Sequence, residues 1–151
     1  MADFEVVRRT HIAADPARVH GLVNDFRQWR DWSPWEGLDP TMDREYSGAE
    51  RGVGAHYTWS GNRRAGSGSM EITASNPQQI DLALTFEKPW RATNRVCFLL
   101  TPVNSGTDVA WRMTGSQSGV AGLLGRVVGM DRLLGKDFEK GLTRLKAVAE
   151  S

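Results

Sequence analysis

Few residues of this sequence could carry chemistry. The histidines are His11, His20 and His56, and the only cysteine is Cys97. None of the histidines has a cysteine or a carboxylate at the spacing of a metal site. Cys97 stands between apolar residues on the outward side of a predicted strand, where an inert structural thiol is expected. The sequence therefore predicts no metal and no cofactor, and it offers no catalytic pair at a defined spacing.

Carboxylates and glycines give no stronger signal. Glu36 and Asp39 are expected to be solvated charges rather than a general acid and base. The glycines at 52–54 and 66–68 precede predicted strands and lack the lysine of a phosphate-binding loop. These patterns indicate exposed charges and hairpin ends.

Apolar spacing and turn residues predict the elements that would position a site. The predicted order is a strand at Phe4–Ala13, a helix begun by Asp15 and Pro16, a short helix at Asp25–Trp32, six strands within Asp43–Gln117, a short helix at Gly119–Val128 and a long helix from about Met130. Short links favour antiparallel hairpins between the six strands. The glycines of the segment before the long helix make it either a lid or a plain connector.

The long helix and the strands each carry one apolar face. On the helix, apolar residues recur every three or four positions: Met130, Leu134, Phe138, Leu142, Leu145 and Ala149. Strand alternation places a second apolar set on one side of the sheet: Tyr57, Trp59, Met70, Ile72, Leu82, Leu84, Phe86, Val96, Phe98, Leu100, Val109, Trp111 and Met113. The two faces must cover each other. The residues alone leave two alternatives open, a filled core or a cavity between helix and sheet.

Composition argues against several classes of protein. Nineteen basic and 18 acidic residues give a net charge of +1, without the basic block that binds nucleic acid. A single cysteine cannot form an internal disulfide and suits a reducing compartment. No apolar run approaches the roughly 18 residues of a membrane span, and the first residues show no signal-peptide pattern. The 151 residues are expected to form one cytoplasmic domain, 1–151, as a monomer or homodimer.

The order of elements and several motifs resemble the START-like superfamily, the polyketide cyclase/dehydrase and lipid-transport group also called SRPBCC. The matching motifs are Ile12–Pro16 with Val19, Trp29 with Trp32–Trp35, Gly52–Trp59, Gly66–Gly68, Gly106–Thr107 with Val109 and Trp111, and Asp137–Leu142 through Leu145–Lys146. The resemblance implies an α+β helix-grip fold. In that fold a curved antiparallel sheet of about seven strands wraps around a long C-terminal helix, with two short helices after the first strand and an elongated pocket.

The resemblance also implies that the pocket binds a hydrophobic small molecule, either a lipid, a sterol-like compound or a polyketide-like compound. The residues expected to line it are Trp35, Tyr57, Trp59, Met70, Leu84, Phe86, Phe98, Trp111, Met113, Leu134, Phe138 and Gly141. Trp35 is the preferred gate residue, whereas Trp29 and Trp32 are expected to pack the short helices. Gly141 either allows close packing of the helix or widens the cavity.

Two further functions stay open. The first is a cyclase, aromatase or dehydratase that uses the same cavity, for which the resemblance leaves Tyr57 and Arg8 as catalytic candidates with help from Asn94 or water. The second is a partner surface on the outer side of the sheet, suggested only by Cys97 and Leu99.

Overall fold

The computed structural model describes residues 2–36, 39, 41–62, 66–88, 91–117 and 126–151. Its elements are β1 (Ala2–Ile12), α1 (Pro16–Val23), a 3₁₀ helix (Gln28–Asp31), β2 (Asp43–Gly48), β3 (Ala55–Ser60), β4 (Ser67–Asn76), β5 (Gln79–Lys88), β6 (Ala92–Val103), β7 (Gly106–Gln117) and α2 (Arg126–Glu150). The strands form one antiparallel sheet in the order β1-β7-β6-β5-β4-β3-β2. This architecture confirms the predicted α+β helix-grip fold. None of the described helices is long and apolar enough to span a bilayer.

Two helix predictions need correction at their boundaries. α2 begins at Arg126, so Arg126–Val128 belong to the long helix and not to a separate short one. A single glycine such as Gly129 costs a helix about 1 kcal/mol, which is too little to end it here. The second short helix is a 3₁₀ helix limited to Gln28–Asp31. The other residues of the predicted lid or connector, 119–125, lie outside the described residues.

Two tryptophans fix the 3₁₀ helix against the end of α1. Trp29 donates its indole N–H to the carbonyl of Val23 at 2.8 Å, and Trp32 donates to the carbonyl of Leu22 at 2.9 Å. Both carbonyls belong to the last turn of α1, where no helical N–H is available to them. Both rings are buried. The predicted packing role of these two residues is confirmed.

The long helix covers the inner face of the sheet at its β1 end. α2 packs mainly on β1 and buries Phe138, Leu142 and Leu145 there. The ring of Phe138 stacks on Trp111 with 4.2 Å between centroids and 5° between planes, and Trp111 in turn stacks on Phe98 at 4.9 Å. The interior around these three rings is therefore a filled core.

Candidate functional site

A cavity of about 180 Å³ lies beneath strands β2 to β5, on the side of the sheet that α2 covers least. The 3₁₀ helix and the segment that follows it form its other wall, and α2 contributes Leu134. Its described lining is Phe26, Trp29, Arg30, Ser33, Trp35, Glu36, Met42, Tyr46, Tyr57, Trp59, Gly66, Met70, Leu84, Phe86, Lys88 and Leu134. Most of these side chains are apolar or aromatic, so the site favours apolar ligands.

Strand register brings the apolar wall together. Tyr57 of β3 is paired with Met70 of β4, and Met70 with Leu84 of β5, so the three side chains form one row across the sheet. In the next row, Trp59 is opposite Gly68. A Cβ atom at Gly68 would lie 2.7 Å from the Trp59 ring. The glycine therefore lets the indole lie across β4 and form part of the wall.

The structure separates the predicted ligand-binding residues into two groups. The residues that line the cavity are Trp35, Tyr57, Trp59, Met70, Leu84, Phe86 and Leu134. The residues that lie outside it are Phe98, Trp111, Met113, Phe138 and Gly141. Four of the latter are buried apolar side chains of the filled core, where stacked rings leave no space for a ligand. Alternation alone does not distinguish these two halves of one sheet face.

Gly141 closes the interface between helix and sheet; the interpretation that it widens a cavity is wrong. A Cβ atom at this position would lie 2.8 Å from Cδ of Pro34 and 2.8 Å from Cζ3 of Trp111. Both atoms belong to rings that cannot turn away as a flexible chain end can. The glycine is therefore required by close packing, which was the other alternative.

Replacing Gly141 with alanine should lower the free energy of unfolding by about 1–3 kcal/mol, because overpacking outweighs the gain in helix propensity of about 1 kcal/mol. Gly135 on the same helix is a matched control, since the three atoms nearest to an added Cβ there all belong to the guanidinium end of Arg8. Gly21→Ala in α1 meets nothing within 4 Å and should stabilise. Urea denaturation measures all three variants. Equal effects at Gly141 and Gly135 would contradict this account.

Arg8, one of the two catalytic candidates, lies outside the cavity. Its Nε donates to Oε2 of Glu139 at 2.8 Å, and Nη1 donates to the carbonyl of Val7 at 2.8 Å. Its guanidinium lies against Gly135 on α2. Four strands separate β1 from β3, which carries Tyr57. The sheet order therefore keeps Arg8 and Tyr57 apart, and the structure does not bring them together as a pair.

A polar cluster at one end of the cavity was missed by the sequence reasoning. Nη2 of Arg44 lies 2.5 Å from Oε1 of Glu36, and both side chains are less than one fifth exposed. The guanidinium of Arg44 lies close enough to Tyr57 to oppose in part the rise in the pKa of its phenol that burial causes. The rings of Tyr57 and Tyr46 lie 5.3 Å apart, and the guanidinium of Arg27 lies 4.7 Å above the Tyr46 ring. The cavity thus has an apolar part and a polar part.

The two carboxylates expected to be solvated are both withdrawn from water. Glu36 is bound to Arg44, as described above. Asp39 is buried, and its carboxylate accepts from Thr41 N at 3.0 Å, Thr41 Oγ1 at 2.8 Å and Asn62 N at 2.9 Å. These hydrogen bonds, above all those from Thr41, lower the pKa of Asp39. Asp39 therefore links Thr41 to Asn62, and Glu36 is the carboxylate that lines the cavity.

Tyr57 is the catalytic candidate that does line the cavity. Burial raises the pKa of its phenol to about 12. The hydroxyl therefore stays protonated across the physiological pH range. It can donate a hydrogen bond to a ligand oxygen but cannot act as a general base there.

Trp35, the predicted gate, packs against two rings of the core. Its ring meets Trp111 at 5.8 Å and Phe138 at 6.4 Å, both edge to face. Trp35 therefore joins the cavity wall to the filled core.

Replacing Asp137 with asparagine should stabilise the fold at about pH 7. Burial raises the pKa of the Asp137 carboxyl above its ordinary value of 3.8, so folding disfavours the charged form. Stability then falls as pH rises from the unfolded pKa through the raised folded pKa, and the whole cost is present above both. Asparagine removes this cost because it carries no charge and has nearly the same size.

Urea denaturation of both proteins at about pH 7 and about pH 3.5 tests this dependence. The gain from Asp137→Asn should be present at the higher pH and nearly absent at the lower one. A gain of equal size at both pH values would show that the carboxyl charge is not the cause.

A hydrogen-bonded chain of Ser105, His11 and Asp108 lies away from the cavity. Nδ1 of His11 is 2.9 Å from Oδ1 of Asp108, and Nε2 is 3.3 Å from Oγ of Ser105. The order resembles a serine hydrolase triad, but all three side chains are exposed. None of them lines the cavity beneath β2 to β5 or a shallower concavity at Phe4, Asn94 and Gly115. We interpret these hydrogen bonds as a structural link between β1 and the β6–β7 hairpin.

The described residues offer neither a reactive thiol nor a cluster of metal ligands. Burial, assisted by Asp81, raises the pKa of the Cys97 thiol to about 12, so it is not a nucleophile at neutral pH. Within the described ranges, no cluster of three His, Cys, Asp or Glu side chains could hold a metal ion. The groups that can act on a ligand at the site are therefore its apolar side chains, the Tyr57 hydroxyl and the Glu36 carboxylate.

Comparisons with known proteins agree with this geometry. The family model described as polyketide cyclase / dehydrase and lipid transport matches residues 3–150. Protein CV1439 from Chromobacterium violaceum is 13% identical and aligns over 98% of this chain and 99% of its own, with a TM-score of 0.69. Aha1 from Colwellia psychrerythraea, solved as a dimer, is 17% identical over 99% of this chain and 97% of its own, with a TM-score of 0.63.

A further similar structure is DynU16, a protein of the dynemicin biosynthetic locus. It is 16% identical, with a TM-score of 0.68, and the match covers 99% of this chain but 48% of DynU16. No curated protein matches the sequence. At these identities the solved structures show the fold alone. The family model spans nearly the whole chain, which therefore belongs to the polyketide cyclase/dehydrase and lipid transport family.

Proposed function

We propose that this protein binds a small apolar molecule of one or two rings in the cavity beneath β2 to β5. The observation that carries the proposal is the cavity itself, about 180 Å³ with a mainly aromatic and aliphatic lining. Membership of a family described by polyketide and lipid ligands supports the same class of ligand. Apolar burial supplies the affinity, and the polar end supplies orientation.

Cavity volume limits the size of the ligand. A dry cavity of about 150 Å³ accommodates one benzene ring, whereas pockets for drug-sized ligands measure about 300–1,000 Å³. At 180 Å³, the site fits a ring compound better than a sterol nucleus or a complete acyl chain. Burying about 250 Å² of apolar surface would contribute about 6 kcal/mol before the costs of association. Affinities in the micromolar range or weaker follow.

A fluorescence and thermal-shift titration tests the proposal. Trp29, Trp35 and Trp59 line the cavity, so a ligand seated there changes tryptophan emission. Naphthalene should give a saturable change and a higher Tm, whereas cholesterol and palmitate should give smaller effects. A protein that responds to none of these probes would overturn the proposal.

A second candidate function is an acid–base step on a β-ketone, as in cyclases and dehydratases. The observation that favours it is the cluster of Tyr57, Arg44 and Glu36 at the polar end. Tyr57 would donate a hydrogen bond to the ketone oxygen, and Glu36 would take the proton from the adjacent carbon to give an enolate. Turnover of a poly-β-ketone should then fall at least about 100-fold in Tyr57→Phe and in Glu36→Gln. Unchanged turnover in both variants would remove these residues from the chemistry.

A further inference from the structure

We propose that the ligand of this cavity is an anion, a ring compound whose carboxylate is held at the rim by Arg30 and Lys88. The inference rests on the proposed function and narrows its ligand class. It follows from an imbalance of charge among the residues that line the cavity.

The charged residues of the described lining are Arg30, Glu36 and Lys88. Glu36 is already neutralised, since Arg44 binds it at 2.5 Å within a mostly buried pair. Arg30 and Lys88 are exposed, and neither makes an ion pair with any residue that the structure describes. Two positive charges therefore remain unbalanced among the described lining residues, in a chain whose net charge is only +1.

The two cations belong to different elements of the cavity wall. Arg30 belongs to the 3₁₀ helix, and Lys88 ends β5, two residues beyond the wall residue Phe86. The register of β4 and β5 shifts between the pairs Phe86–Gly68 and Lys88–Ser67, so the alternation of side chains is interrupted there, and Lys88 is placed at the cavity by its position in the lining. The acidic neighbour Glu87 is not part of that lining and lies 3.9 Å from Arg91. An apolar ring inside the cavity would thus place a substituent at the rim between two cations.

A carboxylate suits this rim better than a neutral group does. Because the cations are exposed, a ligand charge placed beside them keeps much of its hydration, and the attraction is screened by salt. Each exposed pair should improve affinity by about two- to fivefold. The rim thus selects among ligands that the apolar wall binds equally well.

Titration calorimetry with 2-naphthoate and its methyl ester tests the proposal, because the two probes share the rings and differ in charge. At about 0.02 M salt, naphthoate should bind about five- to tenfold more tightly than the ester, and at about 0.5 M salt the advantage should largely disappear. Arg30→Gln and Lys88→Gln should each weaken naphthoate binding about two- to fivefold and leave ester binding unchanged. Lys136→Gln, an exposed change on α2 outside the lining, is the matched control.

The outcomes separate the two proposals. Equal affinities for acid and ester, with no effect of either rim substitution, would overturn the anionic ligand and leave the apolar site standing. Failure of both probes to bind would overturn the proposed function itself. If Lys136→Gln lowered naphthoate affinity as much as the rim variants do, affinity would depend on the net charge of the protein. That result would overturn the assignment to Arg30 and Lys88.

Discussion

Truncating Trp111 to alanine is expected to lower the free energy of unfolding by about 3–5 kcal/mol, the largest effect of any substitution considered for this protein. Its ring is 1% exposed and stacks between Phe98 and Phe138 at the junction of sheet and helix. Removing it would leave a void at the contact that closes the filled core. Domains of this size are stable by about 5–15 kcal/mol in total, so the substitution removes a large part of the free energy of unfolding. Urea denaturation at low temperature, where the variant stays folded without urea, measures the loss.

Trp59→Ala provides the comparison within the same sheet face. Trp59 is half-buried on the cavity wall, so its ring already borders open space and its removal should cost at least about 1 kcal/mol less. If the two truncations destabilised the protein equally, the division of the interior into a filled half and an open half would be incorrect.

Filling the cavity with Leu134→Trp is expected to weaken naphthalene binding by at least about tenfold, with a change in unfolding free energy of about 1 kcal/mol or less. Leu134 is half-buried and lines the cavity from α2. A larger ring at this position would occupy ligand space without overpacking the closed core. Val148→Trp is the matched control, because Val148 is a half-buried residue of the same helix outside the lining.

Fluorescence titration and denaturation of these two variants separate ligand exclusion from loss of structure. Undiminished naphthalene binding in Leu134→Trp would move the binding site away from the cavity. A comparable loss in Val148→Trp would mean that any added tryptophan on α2 disturbs binding.

Local patterns were sufficient for the order of the elements and for much of the apolar wall, whereas the helix-grip arrangement was inferred from the family resemblance. Alternation in β3, β4 and β5 identified Tyr57, Trp59, Met70, Leu84 and Phe86, because a strand with one buried face fixes which side chains point inward. The same rule could have found Tyr46, which β2 pairs directly with Tyr57.

The position of the opening could not be predicted from periodicity. Alternation gives Phe98 and Phe86 the same face, but the helix that fills the space above Phe98 is displaced toward β1. Only the crossing of α2 over the sheet decides which half closes, and Gly141 permits that crossing through its contacts with Pro34 and Trp111. The same crossing places Arg8 against Gly135, away from the cavity.

The polar end was missed because its members share no periodic element. Glu36 lies in an irregular segment, whereas Arg44 lies on the edge strand, and their pairing exists only in three dimensions. Glu36 follows Pro34 and Trp35, and this context favours an exposed position in a loop. In the structure the same segment folds over the cavity, so Glu36 becomes part of the lining.

Isotope-filtered NMR on the complex with naphthalene tests the central claim most directly, since it locates the ligand by distance. The account predicts intermolecular contacts from the naphthalene protons to the methyl groups of Met70, Leu84 and Leu134, which line the cavity. It predicts none to Leu142 or Leu145, which are buried in the filled core. Contacts to the core leucines, or to neither set at saturating naphthalene, would contradict it.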